Sequence, residues 1–496
     1  MARVVVVGGG FAGMAAACRL AGDGHAVVVL EAAPRLGGRA ASFERRGQTI
    51  DYGQHVLLRA CGAVQGFLER IGASDAVSFQ DSLAIPLLFD GERTVLRSWP
   101  LPGPTHLLPA LLAYRPLSGR ERLAAACAGL TLWALRSSRE ETFANWLRRH
   151  RQTERIIRRF WDPIVVATLN AHVDAVSLSA ARHVFREAFF VPHGADMGLF
   201  TVPLDDVFQA ARSYLEARGR IVELGCPAGA VSVSGGRAYG VRLSTGREIT
   251  GDAVIVAVSP EALAELTSRV PELGPVVGAA QRLEWAPIVN VRLTFDRKVL
   301  DDAFAIGIDS PVQAVFVRRA AASNSAPVQE TLSRGAAQAA TSTLGAVPIS
   351  GCGGAAAQTL VLSQSAAAEW IDRPDEEIVA KLSPALRDLL PAAREAKLVD
   401  SLVLRHRRAT FVPAPGSSEL RPKSRTPISG LYLAGDWTAT GWPSTIESAV
   451  LSGIYAAAAL ESDAAARCPA AAESDAAAIG TPELNAGKRA AKTSDS

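Results

Sequence analysis

Four consecutive valines, Val4–Val7, run directly into Gly8-Gly9-Gly10-Phe11-Ala12-Gly13, and this junction constrains the fold more than any other feature of the chain. An unbroken β-branched run specifies a strand buried on both faces. The G-x-G-x-x-G that follows must open a helix. Gly8 permits the tight turn, Gly10 lets backbone approach a pyrophosphate, and Gly13 lets helix and strand pack closely. Phe11 and Ala12 fall in the first helical turn, where free N–H groups and a partial positive charge face phosphate. A helix over 11–21, ended by Gly22 and Gly24, and a second buried strand over 26–30 complete a β-α-β unit. Glu31 closes that strand, 21 residues after Gly10, where a carboxylate accepts hydrogen bonds from ribose hydroxyls. The pattern implies dinucleotide binding; the alternative is a structural β-α-β with no ligand.

FAD and NAD share this fingerprint, so the choice falls to other segments. Arg35-Leu36-Gly37-Gly38-Arg39 follows at once and places two glycine N–H groups and two guanidinium forks near the pyrophosphate. A partner segment lies near the other end, Gly430-Leu431-Tyr432-Leu433-Ala434-Gly435-Asp436-Trp437. Its strand delivers Gly435 and Asp436 to the end where ligands sit in open α/β sheets, and Asp436 suits ribityl hydroxyls. Pro443 fits the first turn of a closing helix, whose N-terminus would favour an anionic reduced flavin. An ordinary strand–turn–helix with a capping Asp is the alternative.

Taken together, these segments resemble the amine oxidase/phytoene desaturase superfamily of flavoproteins. The match runs through Gly8, Gly10, Gly13, Glu31, Arg35, Gly37, Gly38 and Arg39, then Gly435, Asp436 and the helix start Thr445-Ile446-Glu447. It implies a cofactor, FAD, with Val231 holding the adenine through its backbone. Asp51-Tyr52-Gly53-Gln54-His55-Val56-Leu57-Leu58, with Leu433–Thr438, resembles a narrower branch, the squalene-associated hydroxysqualene dehydroxylases. That resemblance covers most of residues 1–75 and 200–460. No Cys lies between Gly430 and Gly453, so the FAD is expected to be non-covalent.

The fold class implied is α/β, a discontinuous Rossmann-like FAD-binding domain with an inserted mixed α+β substrate domain. Residues 1–80, 203–284 and 397–460 would form the first. Residues 81–202, mainly helical, and 285–396 would form the second, with an Ala/Ser/Gly-rich flexible insertion over 320–357 and a disordered tail over 461–496. The activity implied is loss of water from hydroxysqualene and quenching of the allylic cation by hydride from reduced flavin. His55 is the first candidate for proton donor and Asp51 the second. The alternatives are a His satisfied by backbone and an Asp that only caps its loop. Competing functions are a carotenoid-type desaturase or isomerase and a non-catalytic isoprenoid-binding flavoprotein.

Composition narrows the partners. A net charge of +3 over 496 residues gives no argument for nucleic acid. Six cysteines stand singly with no CxxC, which points to reduced thiols in a cytoplasmic protein and to no metal site. The apolar stretches 107–113 and 123–135, and the arginines at 148, 149, 151, 155, 158 and 159 between Trp146 and Trp161, suggest peripheral contact with the inner face of the cytoplasmic membrane. The expected partners are an apolar polyprenyl substrate and an external electron donor.

Overall fold

The computed structural model describes residues 1–136, 140–318 and 357–467. The valine run forms the strand Arg3–Val7, central in a five-stranded parallel sheet. Across that sheet the order is Ile221–Glu223, Ala26–Leu30, Arg3–Val7, Ala253–Val256 and Leu431–Leu433. Two segments far apart in sequence thus bring their strand ends, at Gly8 and Glu31 and at Ala434, to one edge. The helix Phe11–Gly22 is buried almost all round, which explains its run of small residues. On its outer side runs the last helix, Ile446–Arg467. A Cβ on Gly453 would lie 2.2 Å from Ala12 O, so glycine sets the spacing of the two helices.

A seven-stranded sheet forms the second layer, in the order Leu398–Phe411, Trp285–Phe295, Gln358–Gln364, Ala314–Arg318, Phe304–Gly307, Ala84–Phe89 and Glu92–Arg97. Alternation divides its faces. Val289, Val291, Leu360 and Leu362 pack with Leu382 and Leu386 of the helix Asp375–Leu389. Ile288, Ser363 and Phe316 face the opposite way into a cavity. Helices between residues 105 and 189, centred on Phe143, Trp146 and Trp161, close its other side.

The segment 81–202 is mainly helical and also holds strands: Ala84–Phe89 and Glu92–Arg97 form a hairpin within the large sheet, and Met197–Phe200 is a third strand. Two expectations are corrected. Leu398–Phe411 pairs along its length with Trp285–Phe295, so residues 398–411 belong with the second sheet. The chain beyond residue 461 stays helical to Arg467, with Glu461 paired to Arg19 and Asp463 to Arg425. The expected flexible insertion lies outside the described residues but for Ala357, and the rest of the tail lies outside them entirely.

Glu447 ties the last helix to the helix Gly62–Arg70 beside the site. It is 3% exposed and accepts from the N–H groups of Ala63 and Val64, both at 2.9 Å, in the first turn of the helix Gly62–Arg70. Glu447→Ala should cost about 1–3 kcal/mol by leaving these donors unpaired, read as a lower midpoint in urea denaturation.

Candidate active site

The glycine fingerprint forms a tight strand-to-helix turn. Gly8 has φ +107°, and a Cβ on Gly13 would sit 1.9 Å from Gly8 O. By contrast, a Cβ on Gly10 would meet only Gly37 O at 3.8 Å, and one on Gly38 only Gly10 Cα at 3.7 Å. Bare backbone on both sides leaves the space a pyrophosphate needs. Glu31 is fixed by the N–H groups of Gly9 (2.7 Å) and Ala33 (2.8 Å). Its carboxylate stands beside the first helix turn, where Phe11 and Ala12 are buried.

Arg39 reaches across the chain to an ion pair with Asp436 and a 2.9 Å bond to Ala409 O, and lies over Trp285. Asp436 also accepts from Ser444, and its backbone oxygen accepts from Arg421 at 3.0 Å. Arg421 was not legible in sequence. It is half-buried against Phe411, bonds Thr440 at 3.1 Å, and desolvation lowers its pKa to about 10. Gly435, at φ +141°, clears the Trp437 indole, which a Cβ would approach to 2.4 Å. Thr445 caps the last helix by accepting from Ser448 N at 3.1 Å, and Ile446 is its first residue. Pro443 therefore precedes the helix and does not occupy its first turn. Arg35 is turned to Ser42 O at 3.1 Å, and the Val231 side chain sits in the core with Leu30 and Val256.

The segments 54–58 and 442–447 open into one cavity of about 930 Å³, near the upper end of ordinary ligand sites. Its walls are mainly apolar, including Leu87, Leu111, Phe160, Val166, Phe185 and Phe316. His55 lines it, with Nε2 buried and without a partner. Burial pushes its pKa down to about 4; nearby His406 adds to this and Asp51 opposes it. The ring is neutral at pH 7, which corrects the expectation of a resident proton donor. Asp51 is corrected too. It is held by Ser42 Oγ (2.6 Å), Leu204 N (3.1 Å) and Arg318 (2.9 Å), so it pins three segments together and does not line the cavity.

A second histidine of the cavity, itself exposed, escaped the sequence reading. His172 lines the cavity and donates through Nδ1 to Asp162 at 2.8 Å; that bond, ahead of the opposing effect of burial, raises its pKa. Only the fold brings this pair to the cavity, and no motif marked it.

Burying His55 neutral has a pH consequence with a definite sign. Between pH 6.5 and about 4 the unfolded ring takes up a proton that the folded ring refuses. Stability from this group is therefore full above pH 6.5 and lost as pH falls toward 4, by about 3 kcal/mol. Urea unfolding at pH 7 and pH 4.5 should show a smaller difference in His55→Gln than in the parent.

A dinucleotide cradle built from both chain ends, opening on a large apolar cavity, defines a flavin-dependent oxidoreductase. Residues 11–460 match the model of the flavin containing amine oxidoreductase family, and the chain belongs to that family and binds FAD. It is 26% identical to 15-cis-phytoene desaturase of Narcissus pseudonarcissus, across 91% of this chain and 78% of that one. It is 23% identical to the 15-cis-phytoene desaturase of Synechococcus elongatus, across 91% and 94%. An oxidoreductase from Methanosarcina mazei shares the fold with a TM-score of 0.69 at 19% identity, covering 91% of this chain and 99% of that one.

Proposed function

We propose that the chain removes the hydroxyl of hydroxysqualene to give squalene. The observation that carries this reading is the apolar cavity, which meets the cofactor segments at a neutral, unpartnered polar group, His55. An allylic alcohol on a long hydrocarbon presents that combination. Bound and reduced, FAD supplies one hydride; the alcohol takes up one proton, the C–O bond breaks, and water and squalene leave. Phe160, Phe185 and Phe316 hold the isoprenoid and keep bulk water from competing for the cation. His172, whose protonated form Asp162 favours, supplies the proton. Gly10, Gly38, Glu31 and Asp436 hold the dinucleotide, and an external donor reloads it with electrons. Anaerobic addition of hydroxysqualene to the reduced enzyme should reoxidise the flavin and yield squalene by mass spectrometry. If the flavin stays reduced, the reading fails.

The likeness to phytoene desaturases favours a second reading, in which the oxidised enzyme dehydrogenates a polyene. Formation of a conjugated polyene chromophore from phytoene under an electron acceptor would select it.

In this proposal the substrate arrives from a membrane. Leu108 and Leu130 are both exposed and cavity-lining, and Trp99, Leu112, Leu123 and Trp133 are exposed in the same region of the chain. The arginine cluster first suspected is mostly neutralised: Arg148, Arg149, Arg155, Arg158 and Arg159 all have carboxylate partners. Contact would rest instead on apolar side chains. Among the described residues no helix is long and apolar enough to cross a membrane.

A further inference from the structure

We propose that His55, Asn290 and the bare backbone of Gly53 form a socket for the single oxygen of an isoprenoid alcohol. The inference rests on the dehydroxylase reading and names the groups that recognise its substrate. Asn290 lies on the strand Trp285–Phe295, in register with Ser363 on one side and Leu404 on the other. Val289 and Val291 point into the core, so Asn290 shares the opposite face with Ile288, and Ser363 on the paired strand lines the cavity.

Asn290 is 2% exposed and its Oδ1 has no hydrogen-bond partner; His55 Nε2 is likewise buried and unpartnered. Both flank the same point. A Cβ on Gly53 would lie 3.4 Å from His55 Nε2 and 3.8 Å from Asn290 Nδ2. The loop is held there by His406, whose Nε2–H donates to Tyr52 O at 2.9 Å. Buried polar groups are almost always paired, so two open ones beside a missing side chain mark where a ligand completes the set.

The chemistry of the open atoms selects the ligand. The Asn290 atom beside this point is Nδ2, a donor; a neutral imidazole nitrogen either donates or accepts. A hydroxyl satisfies both, accepting from Asn290 Nδ2 and donating to or accepting from His55 Nε2. A hydrocarbon would satisfy neither. The socket therefore positions an alcohol, and by removing the hydroxyl the reaction turns the favoured ligand into a disfavoured one, which promotes product release.

The test is a binding measurement on the oxidised holoenzyme, which cannot reduce the alcohol. Hydroxysqualene and squalene, dispersed in the same detergent, are titrated against flavin fluorescence. The parent should prefer the alcohol by about tenfold, the scale of one net hydrogen bond. Asn290→Leu should bring that ratio to about one, with squalene affinity and FAD retention unchanged; His55→Phe should act the same way. If Asn290→Leu fails to fold, Asn290→Ala gives the same comparison. A preference that survives these substitutions overturns the proposal. So does a parallel loss of FAD, which would assign the open atoms to the cofactor. Asn290-dependent preference without turnover by the reduced enzyme would leave the socket standing and remove the dehydroxylase reading. Turnover without any preference would do the reverse.

Discussion

Replacing Gly13 by valine is expected to give a chain that retains almost no FAD and unfolds at a markedly lower denaturant concentration. The new Cβ would fall 1.9 Å from Gly8 O and 3.3 Å from Ala257 Cβ. Neither obstacle is a flexible side-chain end. Gly8 is itself fixed at φ +107°, and its N–H bonds Leu30 O at 2.8 Å. The helix cannot retreat on its other side, because Gly453 already sits against Ala12 O. Overpacking a core commonly costs about 1–3 kcal/mol; a backbone–backbone clash between two fixed elements should reach the upper end of that range or exceed it. Displacing the helix start also removes the N–H groups that face phosphate. The ratio of flavin to protein absorbance in the purified variant checks the first effect and urea titration the second. Near-normal flavin content would show that the fingerprint spacing is not what holds the cofactor.

Asp436→Ala is expected to weaken FAD binding by about 10- to 150-fold, the equivalent of one charged hydrogen bond at about 1.5–3 kcal/mol. The carboxylate is nearly buried, takes Arg39 on one oxygen and Ser444 on the other, and its peptide oxygen is bonded by Arg421. Removing it frees Arg39, loosens the turn that carries Gly435 and Thr445, and deletes the acceptor expected to meet the ribityl hydroxyls. Arg39 is partly exposed, so solvent softens the loss of the pair itself. The larger effect should therefore fall on FAD affinity, with a smaller one on apoprotein stability. Equilibrium dialysis of FAD against apoprotein, with urea unfolding of the same preparation, separates the two.

The parts of this molecule that sequence revealed are those where local chemistry and tertiary role coincide. The valine run, the glycines and Glu31 each have one physical solution, and they sit together as the pattern requires. The hairpin 84–97 carried a signal that went unread: Asp90-Gly91, with φ values of 53° and 72°, is the two-residue turn that joins paired strands. Pro86 is tolerated there because pairing with Phe304–Gly307 begins only at Leu87. Leu398–Phe411 was assigned by nearness in sequence to the closing segment, whereas its hydrogen bonds go to a strand more than a hundred residues earlier. The chemistry of the cavity was least legible. His55 and Asn290, or His172 and the wall opposite it, meet only because a long insertion folds back over the cofactor segments. Burial then made His55 neutral, an outcome that its place in the loop could not disclose.

The most direct measurement is the fate of a labelled hydride. The enzyme is reduced anaerobically so that flavin N5 carries deuterium, in buffer and on a timescale that preclude exchange before transfer, and hydroxysqualene is added in a single turnover. The account predicts squalene bearing one deuterium at the former carbinol carbon, formed at the rate of flavin reoxidation. Unlabelled squalene, deuterium at another carbon, or a flavin that stays reduced beside unchanged alcohol would contradict it.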